Sequence, residues 1–134
     1  MNNDLKILVV EDNPMHQKVL SFLIKKYFTQ NVIITSNPKE AFPELRKSIP
    51  DFIILDIEMP YMSGKEMLEL LRNMEGYADI KVIVYSSKVD KETVKKVISY
   101  NILDIINKGA DQKIIISKLR KHFVGESKKE SPNT

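Results

Sequence analysis

Two hydrophobic periods alternate along the chain. Short runs rich in Val and Ile, such as "DFIILD" at 51–56, alternate with longer segments whose apolar residues recur at helical spacing. The short runs predict β-strands and the longer segments predict helices. The predicted strands are 5–10, 31–35, 51–56, 80–86 and 102–107, and the predicted helices are 14–27, 38–48, 64–74, 90–100 and 111–123.

The predicted strands are apolar on nearly every residue. This composition is expected when helices cover both faces of a parallel sheet that is connected by right-handed crossovers. We therefore predict an α/β fold of five β-α units. The expected architecture is a doubly wound, five-stranded parallel sheet with strand order 2-1-3-4-5, as in flavodoxin-like proteins.

Helical spacing also predicts which side of each helix is buried. In the first helix, one buried face is expected to contain Met15, Val19, Phe22 and Leu23. A comparable stripe in the third helix comprises Met67, Leu68, Leu71 and Met74.

The second helix contains a local conflict. Asn37 is suited to cap it and Pro38 to occupy its first position, but Pro43 removes a backbone donor further along. We expect this helix either to be short, with a late start, or to be kinked.

Length and composition predict one domain. A chain of 134 residues can bury one sizeable core, which we place at residues 1–124. Residues 125–134, "GESKKESPNT", have no apolar stripe and are expected to form a flexible C-terminal tail.

There is no Cys, no signal-peptide pattern at the start and no apolar run of membrane-spanning length, so we expect a cytoplasmic protein without membrane association.

Charge is distributed unevenly. Residues 1–80 carry 9 Lys or Arg against 12 Asp or Glu, whereas residues 81–134 carry 12 against 6. The later Lys residues alternate with apolar stripes and accompany no recognition motif, which favours a solvated basic face over direct nucleic-acid binding. This basic face comprises Lys91, Lys95, Lys96, Lys113, Lys118 and Lys121.

Polar residues follow several predicted strands directly. In open α/β sheets, ligands bind beyond the carboxyl ends of the strands, at the point where the strand order reverses. For strand order 2-1-3-4-5, that edge brings together three carboxylates, a hydroxyl and an ammonium, those of Glu11, Asp12, Asp56, Ser86 and Lys108. Clustered carboxylates repel one another, and oxygen ligands without a His or Cys cluster suit Mg²⁺. A phosphoryl group on Asp56 would then face the cation, the ammonium and the hydroxyl.

These residues resemble the receiver domains of two-component response regulators over nearly the whole chain. The resemblance lies in "ILVVEDNP", "LDIEMPYMSG", "VIVYSS" and "INKG". The intervals between Asp12, Asp56, Ser86 and Lys108, which are 44, 30 and 22 residues, are similar to those of the family. Four motifs at matching spacing are a specific signal, whereas any one of them is weak.

The resemblance implies a role for each residue at the strand ends. Asp56 would be the phosphoacceptor, and Ser86 and Lys108 would bind the phosphoryl oxygens. The implied cofactor is Mg²⁺, bound by Asp56, by Asp12 directly, by Glu11 through water and by the backbone carbonyl of Glu58. The domain would catalyse only its own phosphorylation and dephosphorylation and would not be an enzyme for an external substrate.

The resemblance also implies partners. The phosphoryl donor would be a histidine kinase or a histidine phosphotransfer protein, and the output would pass to an unidentified effector protein. A homodimer through the helix 4, strand 5 and helix 5 face is a further possibility. The chain could also be a receiver excised from a larger hybrid kinase.

Several positions depart from the family pattern. Ile105 stands where an aromatic residue is common, Gly109 where a proline is common, and Ser87 where an alanine is common. Glu58 and Lys88 resemble the pair that sets the lifetime of the acyl phosphate, and their opposite charges suggest a salt bridge across the pocket. The alternative is an exposed pair of little energetic value.

Other polar residues have structural interpretations. His16 is expected in the exposed first turn of a helix and His122 in a basic last turn, neither as a ligand or base. Asn13 and Pro14 are expected to start a helix, and Gly64 to relieve a tight loop.

Two other functions stay open at this point. A haloacid-dehalogenase-like phosphatase also forms an aspartyl phosphate, but it requires Asp-x-Asp at an early strand, whereas this chain has Asp56-Ile57-Glu58 on the third. A phosphorylation-independent interaction module, or pseudo-receiver, would retain the pocket as a feature of the fold. The atypical Ile105 and Gly109 favour that alternative, and the intact acidic, Ser and Lys set opposes it.

Overall fold

The computed structural model describes residues 2–59 and 62–125. The strands are β1 (Ile7–Val10), β2 (Val32–Thr35), β3 (Phe52–Leu55), β4 (Lys81–Ser86) and β5 (Asp104–Asn107). The helices are α1 (Pro14–Tyr27), α2 (Pro38–Lys47), α3 (Gly64–Asn73), α4 (Lys91–Ile98) and α5 (Gln112–Arg120), and a π-helical turn, Lys121–Gly125, follows α5. The tail predicted at 125–134 lies outside the described residues from position 126 onward.

All five strands are parallel and lie in the order β2-β1-β3-β4-β5. This confirms the predicted (βα)5 fold and its strand order. Because β1 and β3 are adjacent at the centre of the sheet, the segments that follow them begin at the same edge. Within the described ranges, no helix combines the length and apolar character needed to cross a bilayer.

The core has two layers, one on each face of the sheet. Alternate strand residues project to opposite faces, so Ile7 and Val9 pack with α1 and α5, whereas Leu8 and Val10 pack with α2 and α3. A smaller cluster beside α4 contains Val97. Helices therefore cover both faces, which explains the nearly continuous apolar strands.

The buried face of α1 differs from the prediction. Leu20, Leu23 and Ile24 are buried, whereas Met15 and Phe22 are 70% and 58% exposed. A helix turns about 100° per residue, so residues 22 and 24 project in nearly opposite directions. The prediction that Met15 and Phe22 belong to the core is wrong. In α3, by contrast, three of the four predicted residues, Met67, Leu68 and Leu71, are buried, and Met74 is partly buried at the cap that ends the helix.

A polar residue caps the start of each of the five α-helices. The capping side chain accepts a hydrogen bond from a backbone N–H of the first turn in every case, and these residues are Asn13, Asn37, Ser63, Asp90 and Asp111. Asn13 and Pro14 thus start α1 as predicted. The cap at Asn37 also shows that α2 begins at Pro38 and continues past Pro43, so a late start is wrong.

Candidate functional site

The candidate site lies at the carboxyl edge of the central strands. Sheet hydrogen bonding continues into the residues that follow the strands: the Glu11 N–H donates to the carbonyl of Thr35 (3.0 Å), and the Asp56 N–H donates to that of Val10 (2.9 Å). The Lys108 N–H donates to the carbonyl of Ser86 (3.0 Å) in the same way. The sheet therefore fixes the backbones of the acidic and basic residues of the site.

Three carboxylates converge at this edge. Oxygen atoms of Glu11, Asp12 and Asp56 all lie within 4.8 Å of one another. Glu11 and Asp56 are buried, with 0% and 1% of their surface exposed, and Asp12 is exposed at the mouth. Taken together, they present hard oxygen ligands to a single point, which is the donor set that Mg²⁺ prefers.

Lys108 neutralises part of this charge. Its Nζ atom lies 2.7 Å from Glu11 Oε1 and 3.0 Å from Asp56 Oδ2. Neither oxygen has a partner with hydrogen-bond geometry among the described residues, so the two contacts are ionic. Burial lowers the pKa of Lys108, but the carboxylates of Glu11 and Asp56 outweigh burial and raise it above its ordinary value.

The carboxyl group of Asp56 has a strongly altered proton affinity. Burial raises its pKa from 3.8 to about 7, and the nearby Glu11 carboxylate adds to the effect. The backbone N–H of Glu58, which donates to Asp56 Oδ1 (2.9 Å), and the Lys108 ammonium oppose it. One ammonium therefore does not compensate this cluster of three carboxylates, and the remaining negative charge fits a bound cation.

The predicted pair of Glu58 and Lys88 is an ion pair. Glu58 Oε2 lies 3.5 Å from Lys88 Nζ. Glu58 Oε1 also accepts hydrogen bonds from the hydroxyls of Ser86 (3.3 Å) and Ser87 (2.9 Å). The hydroxyl of Ser86 thus contacts the Glu58 side chain, and the second hydroxyl, on Ser87, is bound to the same oxygen.

Gly64 lies directly against the phosphoacceptor candidate. It is the first residue of α3, and a Cβ atom at this position would overlap the backbone carbonyl of Asp56. Ser63 caps the same helix in a capping box with Glu66, which stabilises its first turn. The glycine is required by contact with the Asp56 backbone, a more specific reason than the predicted tight loop.

Sequence reasoning missed the contribution of His16 to the site. Its Nδ1 atom is buried 3.7 Å from Glu11 Oε1, and its ring packs edge-on against the buried Tyr85. The ring of Tyr85 in turn lies 5.6 Å from Lys108 Nζ. Burial, followed by the charge of Lys108, lowers the pKa of His16. The sequence signal for this contact was the helix cap at Asn13, two residues after Glu11. It places His16 in the first turn of α1, close to that carboxylate.

His122 lies away from the site and is buried. Its Nε2 atom lies 2.8 Å from Asp104 Oδ2, and Lys118 Nζ lies 3.3 Å from Asp104 Oδ1. Burial raises the pKa of Asp104, but His122, the Ile105 N–H and Lys118 outweigh it and lower the pKa below its ordinary value. The prediction that His122 lies in a basic last turn did not include this pairing. The sequence signal for it was Asp104, a charged residue within the otherwise apolar run of β5.

The atypical residues of β5 have definite surroundings. Ile105 is partly buried and lines a cavity of about 570 Å³ between α4 and β5. The N–H of Gly109 donates to Asn107 Oδ1 (2.8 Å), a bond that proline could not make. The described ranges contain no cis peptide bond.

Comparison with known proteins agrees with this geometry. The family model of the response regulator receiver domain matches residues 7–120. Hybrid signal transduction histidine kinase D of Dictyostelium discoideum is 30% identical over 89% of this chain and 8% of its own length. A probable C4-dicarboxylate response regulator DctR of Halalkalibacterium halodurans is 30% identical over 78% of this chain and 45% of its own length. The chain thus spans less than half the length of these curated relatives.

Solved structures share the fold. The signal receiver domain of a signal transduction histidine kinase from Syntrophus aciditrophicus has a TM-score of 0.77 and 27% identity, covering 90% of each chain. Chemotaxis protein CheY4 of Vibrio cholerae has a TM-score of 0.79 at 20% identity, covering 87% of this chain and 97% of its own. With the matched family model, these likenesses lead to one conclusion: this chain belongs to the response regulator receiver domain family.

Proposed function

We propose that this receiver domain accepts a phosphoryl group on Asp56 and changes its partner-binding face in response. The observation that carries the proposal is the placement of the buried Asp56 carboxylate beside Lys108, with Glu11 and Asp12 completing an acidic cluster. Phosphoryl transfer depends mainly on positioning and charge neutralisation, and both are built into this edge of the sheet.

The proposed donor is a phosphohistidine on a histidine kinase or a histidine phosphotransfer protein. A carboxylate oxygen of Asp56 forms the new P–O bond while the P–N bond to the donor imidazole breaks, and the electron pair of that bond stays on the imidazole nitrogen. Lys108 stabilises the negative oxygens of the transferring group through its ammonium. Hydrolysis of the acyl phosphate by water resets the domain, so we propose no turnover of an external substrate.

Mg²⁺ is the proposed cofactor. Asp12, Asp56 and the backbone carbonyl of Glu58 would hold it directly, and Glu11 through water. Bound there, the cation would neutralise charge on the carboxylates and on the transferring phosphoryl group. The clustering of three carboxylates around a single ammonium supports this assignment.

The ion pair of Glu58 and Lys88 is proposed to limit access of water to the acyl phosphate. It joins the segments after β3 and β4, and both side chains are in contact with the solvent from which an attacking water would come. If the pair guards the phosphate, replacing both residues with alanine will change the dephosphorylation rate. An unchanged rate would leave the pair as a surface salt bridge only.

The proposed output face comprises α4, β5 and α5. An apolar cavity there is lined by Val94, Ile98 and Ile105, with Lys118 on its wall. The surrounding Lys residues favour an acidic effector protein with an apolar anchor, and a second copy of the domain is the alternative occupant. An Ile98→Asp variant should keep phosphorylation and lose effector binding or dimer formation, as measured by analytical ultracentrifugation. We place this signalling in the cytoplasm.

The test of phosphorylation uses a small phosphodonor. Wild-type protein incubated with acetyl phosphate and Mg²⁺ should gain the mass of one phosphoryl group, and Asp56→Asn should gain none. Asp79→Asn, which removes an exposed carboxylate elsewhere, should behave as wild type. Excess EDTA should abolish the gain, and added Mg²⁺ should restore it. A wild type that gains no mass would favour the phosphorylation-independent interaction module.

A further inference from the structure

Three consecutive residues at the carboxyl end of β4 direct polar groups at one carboxylate. The hydroxyls of Ser86 and Ser87 lie 3.3 Å and 2.9 Å from Glu58 Oε1, and Lys88 Nζ lies 3.5 Å from Glu58 Oε2. We call Ser86, Ser87 and Lys88 the anion cradle. Two hydroxyls and an ammonium that converge on a carboxylate form a site that also suits the oxygens of a phosphoryl group.

The occupant of the cradle is tied to Asp56. Glu58 follows Asp56 by two residues, and its backbone N–H donates to Asp56 Oδ1 at 2.9 Å. Leu55 pairs with Val84 in the sheet, so Asp56 and Ser86 lie at the same end of adjacent strands. We therefore expect a phosphoryl group on Asp56 to reach the donors that the Glu58 side chain already occupies. The Glu58 carboxylate and the phosphoryl group cannot both occupy these donors without repulsion, because two negative charges within hydrogen-bond reach of the same donors disfavour each other.

The hydroxyl of Ser86 has a single proton and two acceptors within reach. Its Oγ atom lies 3.3 Å from Glu58 Oε1 and 3.1 Å from the carbonyl of Lys88, and it accepts from the Lys88 N–H at 3.0 Å. Ser86 is fully buried, but it keeps hydrogen-bond partners in Lys88 if Glu58 is removed. Changing the Glu58 side chain therefore leaves no buried hydroxyl unsatisfied, and we expect such a variant to fold.

The Glu58 carboxylate has a route out of the cradle. Its side chain is 32% exposed and that of Lys88 is 67% exposed, so their ion pair is screened by solvent and contributes little. The hydroxyl contacts, and above all the shorter one from Ser87, hold the carboxylate in place. On release, Glu58 can rotate into water without burying its charge.

We infer that Glu58 is an internal stand-in for the phosphoryl group. In the unmodified protein its carboxylate holds the anion cradle, and phosphoryl oxygens on Asp56 displace it and take over Ser86 and Ser87. Ser87 thereby becomes a further phosphoryl-binding residue, while Glu58, released from the two hydroxyls, keeps its ion pair with Lys88. This inference rests on the proposed phosphorylation of Asp56.

The test measures the affinity for beryllofluoride, a phosphoryl mimic, in the presence of Mg²⁺ by ¹H–¹⁵N NMR titration. Glu58→Gln keeps the size of the side chain and removes the competing charge, so affinity should rise about tenfold, the effect of roughly one charge-assisted hydrogen bond. Glu75→Gln removes the same charge from an exposed residue and should leave the affinity unchanged.

A double-mutant cycle separates capture of the hydroxyls from a general effect of charge. Ser87→Ala should change the affinity little when Glu58 is present, because the hydroxyl serves one anion or the other. In the Glu58→Gln background, Ser87→Ala should weaken binding severalfold, so the two effects will not be additive. Equal effects of Ser87→Ala in both backgrounds would overturn the inference.

The two proposals fail in different ways. If wild type and Asp56→Asn respond identically to beryllofluoride, the phosphoacceptor proposal fails and this inference fails with it. If binding depends on Asp56 but Glu58→Gln leaves the affinity unchanged or lowers it, only the stand-in role of Glu58 is overturned.

Discussion

Lys108 Nζ lies 2.7 Å from Glu11 Oε1, and the side chains of these two residues are 9% and 0% exposed. The ammonium that faces Asp56 is therefore also the counter-ion of a second, fully buried carboxylate. This sharing gives Lys108 a structural role in addition to its proposed contact with the phosphoryl group. It also means that removing Lys108 leaves two buried carboxylates without their cation.

Replacing Lys108 with methionine should destabilise the metal-free protein at pH 8. Breaking a buried ion pair from one side costs about 3–5 kcal/mol, because the remaining charge loses its compensation. Urea unfolding in EDTA would measure the change, and adding Asp56→Asn to the variant should recover part of the loss. A loss below about 1 kcal/mol would show that the carboxylates do not depend on Lys108.

The raised pKa of Asp56 predicts a pH-dependent stability in metal-free protein. The folded-state pKa of about 7 lies above the ordinary 3.8, so the folded protein binds this proton more tightly than the unfolded chain. The stability that Asp56 contributes is therefore present in full below pH 3.8 and is lost as the pH rises through about 7. Asp56→Asn cannot ionise and should become more stable than wild type by roughly 2 kcal/mol or more at pH 8, with little advantage at pH 4. Urea titrations in EDTA at both pH values test this. A constant difference, as expected for the control Asp79→Asn, would contradict it.

The two faces of α1 should respond differently to truncation. Phe22→Ala removes a side chain that is 58% exposed and should change the free energy of unfolding by less than about 1 kcal/mol. Leu23→Ala removes one that is 1% exposed and should cost about 2–5 kcal/mol. Urea unfolding of the two neighbouring variants compares them directly. A larger loss of stability for Phe22→Ala than for Leu23→Ala would instead show that Phe22 belongs to the core, as periodicity predicted.

A methyl group at Gly64 should disturb the site. Alanine normally stabilises a helix by up to about 1 kcal/mol relative to glycine, but here its Cβ would overlap the Asp56 carbonyl. Gly64→Ala should therefore lower stability and shift the amide resonances of residues 56–58. Gly109→Ala, where the nearest atom is Asn107 Oδ1 at 3.4 Å, is the matched control and should be tolerated. A Gly64→Ala variant as stable as wild type would contradict the close approach.

Hydrophobic period predicted five parallel strands covered by helices, and the order 2-1-3-4-5 of one class of doubly wound folds then predicted which residues meet at the edge. Asp56 and Lys108 emerge from strand ends whose positions follow from the apolar runs. The bridge from Glu58 to Ser87 could not be derived in this way, since it depends on side-chain rotamers and on loop geometry. Periodicity also misplaced Phe22, because apolar side chains on two sides of α1 made the buried side ambiguous.

The most direct test of the central claim is the location of the phosphoryl group. Protein treated with acetyl phosphate and Mg²⁺ would be reduced with borohydride, which converts an aspartyl phosphate to homoserine, and then mapped by tandem mass spectrometry of its tryptic peptides. We predict homoserine at position 56 and at no other carboxylate. Homoserine at Asp12 or elsewhere with position 56 unchanged, or no homoserine at all in protein that binds Mg²⁺, would contradict the assignment of Asp56 as phosphoacceptor.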